Sequence, residues 1–124
     1  MNNLRQSWAK IVDDRLRANI QNALSDDLRR APYKGNPNPH AGHCYVASEA
    51  YYHLKGGEHS GLKPMYIQHE GSPHWFLIHK ETGENIDLTS SQFKSPVPYE
   101  KAIGKGFLTK QPSKRAQELI HRVS

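Results

Sequence analysis

Residues 42–57 read GHCYVASEAYYHLKGG, a helix-forming segment between a Gly-His pair and a double glycine. Its apolar side chains recur at helical spacing on one face: Val46, Ala47, Ala50, Tyr51 and Leu54. This pattern predicts a helix over residues 44–54. Glycine accepts the left-handed conformation at a helix end, so Gly56 and Gly57 indicate where the helix stops. We therefore expect the single cysteine, Cys44, to be the first residue of a central helix.

Upstream of this helix, residues 3–30 show a long apolar stripe at steps of three or four, which predicts an N-terminal helix. The stripe comprises Leu4, Trp8, Ile11, Val12, Leu16, Ile20, Ala23, Leu24 and Leu28. Ser25 followed by two aspartates is a helix-start signal inside it, so the helix is expected to break or restart there. Residues 31–43 contain three prolines and two glycines, which predicts a loop.

Downstream, aromatic and branched residues predict strands over residues 64–69 and 74–80. A turn at 81–85 predicts a hairpin between 74–80 and 85–88, and the glycines at 104 and 106 predict a loop. Ser113 is placed to cap a last helix with one apolar face: Ala116, Leu119, Ile120 and Val123. These elements predict an α+β fold, in which a long N-terminal helix and a Cys-headed central helix accompany a small antiparallel sheet and a basic C-terminal helix.

The composition sets the class of protein. A chain of 124 residues fits one domain, divided here into an N-terminal helix (1–30), a core (41–93) and a basic segment (101–124). One cysteine excludes a disulfide framework and a Cys-rich zinc finger. The apolar runs are too short to span a membrane, and charges throughout the first 20 residues leave no signal-peptide core. We expect a cytoplasmic protein with no membrane partner.

The positive charge is concentrated at one end of the chain. Residues 1–100 hold 11 basic and 11 acidic side chains, so the net charge of +5 lies in residues 101–124. The basic residues there are Lys101, Lys105, Lys110, Lys114, Arg115 and Arg122, against Glu118 alone. Such a segment can attract a polyanion weakly, or it can form the solvated face of a helix. Weak contact with nucleic acid or an acidic protein is one prediction.

Cys44, His74 and Asp87 form a set that suits nucleophilic catalysis. A thiolate is the nucleophile, and a helix start together with a nearby imidazolium stabilises it. His74 would give its proton to the leaving group, and Asp87 would orient the imidazole. One difficulty remains, because a turn near Gly83 would place Asp87 opposite residue 80 and His74 opposite residues 92–94.

Four blocks of sequence carry a resemblance: residues 41–50, Gly56-Gly57, Pro73-His74-Trp75-Phe76, and residues 86–93. In this order they resemble the YunG-type group of small phage and bacterial proteins, over about residues 41–93. The order resembles papain-like and transglutaminase-like folds more loosely. The resemblance implies a papain-like core with Cys44 as nucleophile, His74 as acid and base, and Asp87 as the orienting residue. A phage origin would imply the cytoplasm of a bacterial host.

Other residues are candidates for contact with substrate. We expect Tyr45, Trp75 and Gln92 to line the site. Papain-like enzymes carry a glutamine shortly before the cysteine that stabilises the oxyanion, and Asn38 and His43 stand in that region here. The sequence thus predicts a cofactor-free, cysteine-dependent hydrolase or acyltransferase that acts on an amide or acyl bond of a protein or small molecule.

Two alternatives stay open. Four side chains could form a zinc site of a hydrolase: His40, His43, Cys44 and His74. The chain could also be a catalytically inactive phage-type binding protein that contacts a host protein or nucleic acid through its basic end. Replacement of Cys44 by serine or alanine separates the binding protein from a thiol enzyme, because a binder keeps its activity in both variants. Metal analysis of protein purified without a His tag separates the zinc site from a thiol enzyme.

Overall fold

The computed structural model of the chain describes residues 2–29, 33–36 and 42–124. These residues form three α-helices: α1 (Asn2–Ala23), α2 (Cys44–Leu54) and α3 (Lys114–Val123). The same described residues also form four strands: β1 (Leu62–His69), β2 (Ser72–His79), β3 (Asn85–Ile86) and β4 (Ile103–Gly104). The strands form one antiparallel sheet in the order β3-β2-β1-β4. The predicted α+β class is confirmed, and α2 has the predicted bounds.

The hairpin of β1 and β2 is the centre of the sheet. Its two-residue turn consists of Glu70 and Gly71, whose φ angles are 50° and 77°. Positive φ at both central positions is typical of the tight turn whose twist matches that of the paired strands. The hairpin pairs Ile67 with His74 and Tyr66 with Trp75. His74 therefore lies near the turn end of β2, close to the start of α2.

The register of the predicted second hairpin was wrong. Leu77 pairs with Ile86 and Ile78 with Asn85, so β3 is two residues long and lies four positions out of the expected register. A main-chain bond from His79 to the Glu84 carbonyl closes a tighter loop than the sequence suggested. The prediction of a loop at Gly104 was also wrong, because Ile103–Gly104 pairs with β1 at the sheet edge.

Apolar side chains are buried on both faces of the sheet. One core joins the helices to the face that carries Leu77 and Ile86, and α2 contributes Ala47 and Ala50. A second, smaller core lies on the opposite face, where residues 93–102 cover Phe76. α2 thus lies on one face with Cys44 at its first turn, while the chain after β3 closes the other face.

α1 is shorter and more exposed than predicted. It ends at Ala23, and a single 3-10 turn follows at Asp26–Leu28, near the restart signal at Ser25. Ile20 and Leu28 are buried, but Trp8 is 68 % exposed, and Ile11 and Val12 are also exposed. Trp8, Ile11 and Val12 therefore do not contribute to the core, although their spacing is helical.

α3 begins as predicted. The Ser113 hydroxyl accepts a hydrogen bond from the Ala116 N–H and so caps the helix. The same serine donates from its N–H and its hydroxyl to the buried carboxylate of Glu49 on α2, at 2.7 Å each. Leu119 is fully buried in the shared core. Among the helices of the described residues, none has the length and apolarity to cross a membrane.

Candidate functional site

Cys44 is the first residue of α2, at the end of a turn built on Gly42. Gly42 has φ of +75°, and a Cβ at this position would meet the Tyr33 side chain at 2.4 Å, so glycine is required here. The Cys44 sulfur lies 3.9 Å from the Pro73 carbonyl oxygen at the start of β2. Cys44 is 9 % exposed and lines a cavity of about 180 Å³. The sulfur is therefore shielded from bulk water yet borders a space that a ligand can enter.

His74 is fully buried on β2, and its Nε2 lies 2.6 Å from the Asp87 carboxylate oxygen Oδ2. The Asp87 side chain is 4 % exposed. The observed register explains this contact. Because β3 ends at Ile86 after two residues, Asp87 follows directly and reaches the imidazole on the neighbouring strand. The predicted register would have kept Asp87 away from His74, and the observed register removes this difficulty.

Two further donors hold the Asp87 carboxylate. The Tyr99 hydroxyl donates to Oδ2 at 2.9 Å, and the Thr89 N–H donates to Oδ1 at 3.1 Å. Tyr99 lies in a short turn 12 residues after Asp87, in a segment with no periodic pattern, so sequence reasoning missed it. With both oxygens bonded, the carboxylate is fixed in position towards the imidazole.

The surroundings of His74 favour its protonated, charged form at neutral pH. Burial of the ring lowers its pKa, but hydrogen bonds to Asp87 and Cys44 and the attraction of their negative charges outweigh that effect. The balance raises the pKa of His74 to about 9. The imidazolium form is therefore favoured in the pH range where most enzymes work.

Gln92 lies beside the other nitrogen of the ring. Its Nε2 is 3.1 Å from His74 Nδ1, and it also lines the cavity next to Cys44. A protonated ring carries a hydrogen on both nitrogens, so Gln92 must then turn its amide oxygen towards Nδ1. The structure thus brings Gln92 into the site, as the sequence predicted.

Aromatic side chains form one wall of the cavity. Tyr45 and Trp75, both predicted to line the site, do so and meet edge to face with ring centroids 4.9 Å apart. Phe107 stacks on Trp75 at 5.8 Å, and the Tyr45 hydroxyl accepts a hydrogen bond from the Leu108 N–H. Two cations of the basic segment, Lys105 and Arg115, also line the cavity, which sequence reasoning did not foresee.

The predicted role of His43 in contacting substrate is wrong for its side chain. The ring is fully buried, and its Nε2 lies 2.8 Å from the Ser25 carbonyl oxygen, on the side of the 3-10 turn after α1. Two other candidates, Asn38 and His40, lie outside the described residues. Within residues 2–29, 33–36 and 42–124, no three His, Cys, Asp or Glu side chains are grouped so that they could hold a metal ion.

The chain was compared with family models, with curated proteins and with solved structures, and none of the three comparisons finds a match. The resemblance to the YunG-type group and to papain-like folds therefore stays a prediction.

Proposed function

We propose that this protein is a cysteine-dependent hydrolase or acyltransferase that acts on an amide or ester bond through Cys44, His74 and Asp87. One observation carries the proposal: a buried His74–Asp87 pair with a 2.6 Å contact, next to a cysteine that borders a cavity. A structural histidine needs no such carboxylate, no second partner at a thiol and no adjoining space for a ligand.

The proposed reaction runs in two steps. The Cys44 thiolate attacks the carbonyl carbon of the substrate, and a C–S bond forms while the carbonyl electrons move to oxygen. The His74 imidazolium then gives a proton to the leaving amine or alcohol as its bond to carbon breaks, which leaves a thioester on Cys44. In the second step His74 takes a proton from water or from an acceptor amine, which attacks the thioester and restores the thiolate.

The remaining groups of the site have supporting roles in this scheme. Asp87, fixed by Tyr99 and Thr89, orients the imidazole and offsets its charge. N–H groups of the first turn of α2 are the main-chain donors nearest the nucleophile, and they suit the oxyanion that forms at the carbonyl. Trp75 and Tyr45 supply an apolar surface for the part of the substrate beside the scissile bond.

The test uses p-nitrophenyl acetate, a small activated ester. We expect release of nitrophenolate together with a mass increase of one acetyl group on Cys44, because the thiolate displaces the phenolate. Replacement of Cys44 by serine or alanine should abolish the labelling. His74→Ala should slow it at least about tenfold at neutral pH, since the ion-pair partner of the thiolate is lost.

His59→Ala is the matched control, because His59 is an exposed histidine in the 3-10 turn after α2. It should react like the wild type. Equal acetylation rates in wild type and His74→Ala, or acetylation on sites other than Cys44, would overturn the proposal. Addition of an amine distinguishes the two activities: a transferase consumes the thioester faster with the amine present, whereas a hydrolase does not.

A further inference from the structure

Two basic side chains of the C-terminal segment, residues 101–124, line the cavity beside Cys44. Arg122 bonds to Asp27 and Glu118, so its charge is balanced at a distance from the site. Lys105 and Arg115, by contrast, both line the cavity. The charge excess that composition revealed at the C-terminal end is thus partly concentrated at the candidate active site.

Lys105 is held over the aromatic wall. Its Nζ lies 4.5 Å from the Tyr66 ring centroid and 5.7 Å from that of Trp75, two residues that pair across β1 and β2. The main-chain N–H of Lys105 donates to the Pro64 carbonyl at 3.1 Å, which holds the backbone of this residue at the sheet. The rings therefore favour this position of the exposed ammonium group, and an aromatic face leaves its other side available to an anion.

Arg115 faces the same cavity from α3. One of its guanidinium nitrogens donates to the Leu28 carbonyl at 2.6 Å, which anchors the side chain against the end of the N-terminal segment. A guanidinium cannot lose its proton near neutral pH, so it adds a permanent positive charge. The described residues that line the cavity include no aspartate or glutamate.

The rest of the lining is mainly apolar. Trp75, Tyr45 and the stacked Phe107 form a continuous aromatic cluster, and Leu108, 75 % exposed, stands at the rim. A cavity with two cations and an aromatic wall matches a ligand that has one anionic group beside an apolar group. A polyanion such as nucleic acid would need a row of charges along an open surface instead.

We propose that the substrates of this site are amides or esters whose acyl part carries a carboxylate next to an apolar or aromatic group, with Lys105 and Arg115 attracting the carboxylate. This inference rests on the proposed function, and it adds the class of substrate. A phosphate dianion fits less well, because its dehydration in a mainly aromatic cavity costs more than that of a carboxylate.

The test compares two alkylating agents that differ in charge. Iodoacetate carries a carboxylate and iodoacetamide is neutral, and with both the Cys44 sulfur displaces iodide as a C–S bond forms. The ratio of their second-order rate constants cancels the fraction of thiolate and isolates the attraction of the site for a carboxylate. We expect this ratio to be higher for Cys44 than for N-acetylcysteinamide, a thiol with no other charged group, in the same low-salt buffer.

Lys105→Gln should lower the ratio about three- to tenfold, the effect of removing one charge several ångströms away at intermediate dielectric. Lys110→Gln is the control, since it removes the same charge from the same segment at a residue outside the cavity lining. It should leave the ratio unchanged. Added salt should lower the wild-type ratio more than that of Lys105→Gln.

The outcomes separate the two proposals. If Cys44 reacts rapidly with iodoacetamide but Lys105→Gln keeps the wild-type ratio, the inferred substrate class is wrong and the thiol enzyme stands. If Cys44 reacts slowly with both reagents, at the rate of an ordinary buried thiol, the proposed function fails and the substrate class fails with it.

Discussion

Replacement of Asp87 by asparagine removes the negative charge that holds His74 protonated and leaves the shape of the side chain nearly unchanged. The raised pKa of His74, about 9 against an ordinary 6.5, corresponds to roughly 3 kcal/mol in favour of the charged ring. Asp87 contributes both a 2.6 Å hydrogen bond and a Coulombic attraction to that preference. In Asp87→Asn, burial still disfavours the positive charge on the His74 ring, and Cys44 alone remains to favour it. The pKa of His74 should therefore fall below about 7.

The assay is an NMR titration of the His74 ring nitrogens between about pH 5 and about pH 10, in wild type and variant. Asp14→Asn serves as the control, because Asp14 forms an exposed ion pair with Lys10 on α1, away from the site. Its His74 should titrate as in the wild type. The reasoning is refuted if His74 in Asp87→Asn still titrates above about 8, or if the wild-type ring already loses its proton near 6.5.

Three further predictions concern stability, each measured by urea denaturation. Tyr99→Phe deletes a donor to Asp87 and should cost about 1 kcal/mol, whereas an unchanged unfolding free energy would mean that the hydrogen bond does not form. Glu49→Gln should cost about 1–3 kcal/mol, because the two Ser113 donors bond to different carboxylate oxygens and the amide NH2 would replace one of these acceptors with a donor; wild-type stability would contradict the arrangement. The folded-state pKa of His74 is raised, so its contribution is complete below about pH 6.5 and is lost as the pH rises through about 9. In Cys44→Ser, which has no thiol whose ionisation would oppose this effect, the unfolding free energy should fall by up to about 3 kcal/mol over this range, and adding His74→Gln should abolish the decrease.

The sequence predicted the elements that have strong local signals. Helical spacing and the double glycine located α2, and Ser113 located the start of α3, because caps and periodicity act within a few residues. The same spacing failed on α1. Trp8 and Ile11 repeat at core positions, yet no element of the described structure covers them, and burial depends on what packs against a helix.

The sequence singled out Cys44, His74 and Asp87, but it did not reveal every residue that surrounds them. Cys44 and His74 stand beside recognisable helix and strand signals. The position of Asp87 depends on the exact loop length before β3, and a four-residue change in register decided whether it meets the ring. Tyr99 and Lys105 reach the site from irregular segments, where no periodicity links a residue to its neighbours in space.

The rate of Cys44 alkylation by iodoacetamide at neutral pH tests most directly whether His74 activates the sulfur. The wild-type protein should react at least about tenfold faster than His74→Ala, in which the imidazolium beside the sulfur is lost. Equal rates in the two proteins would contradict an activated Cys44.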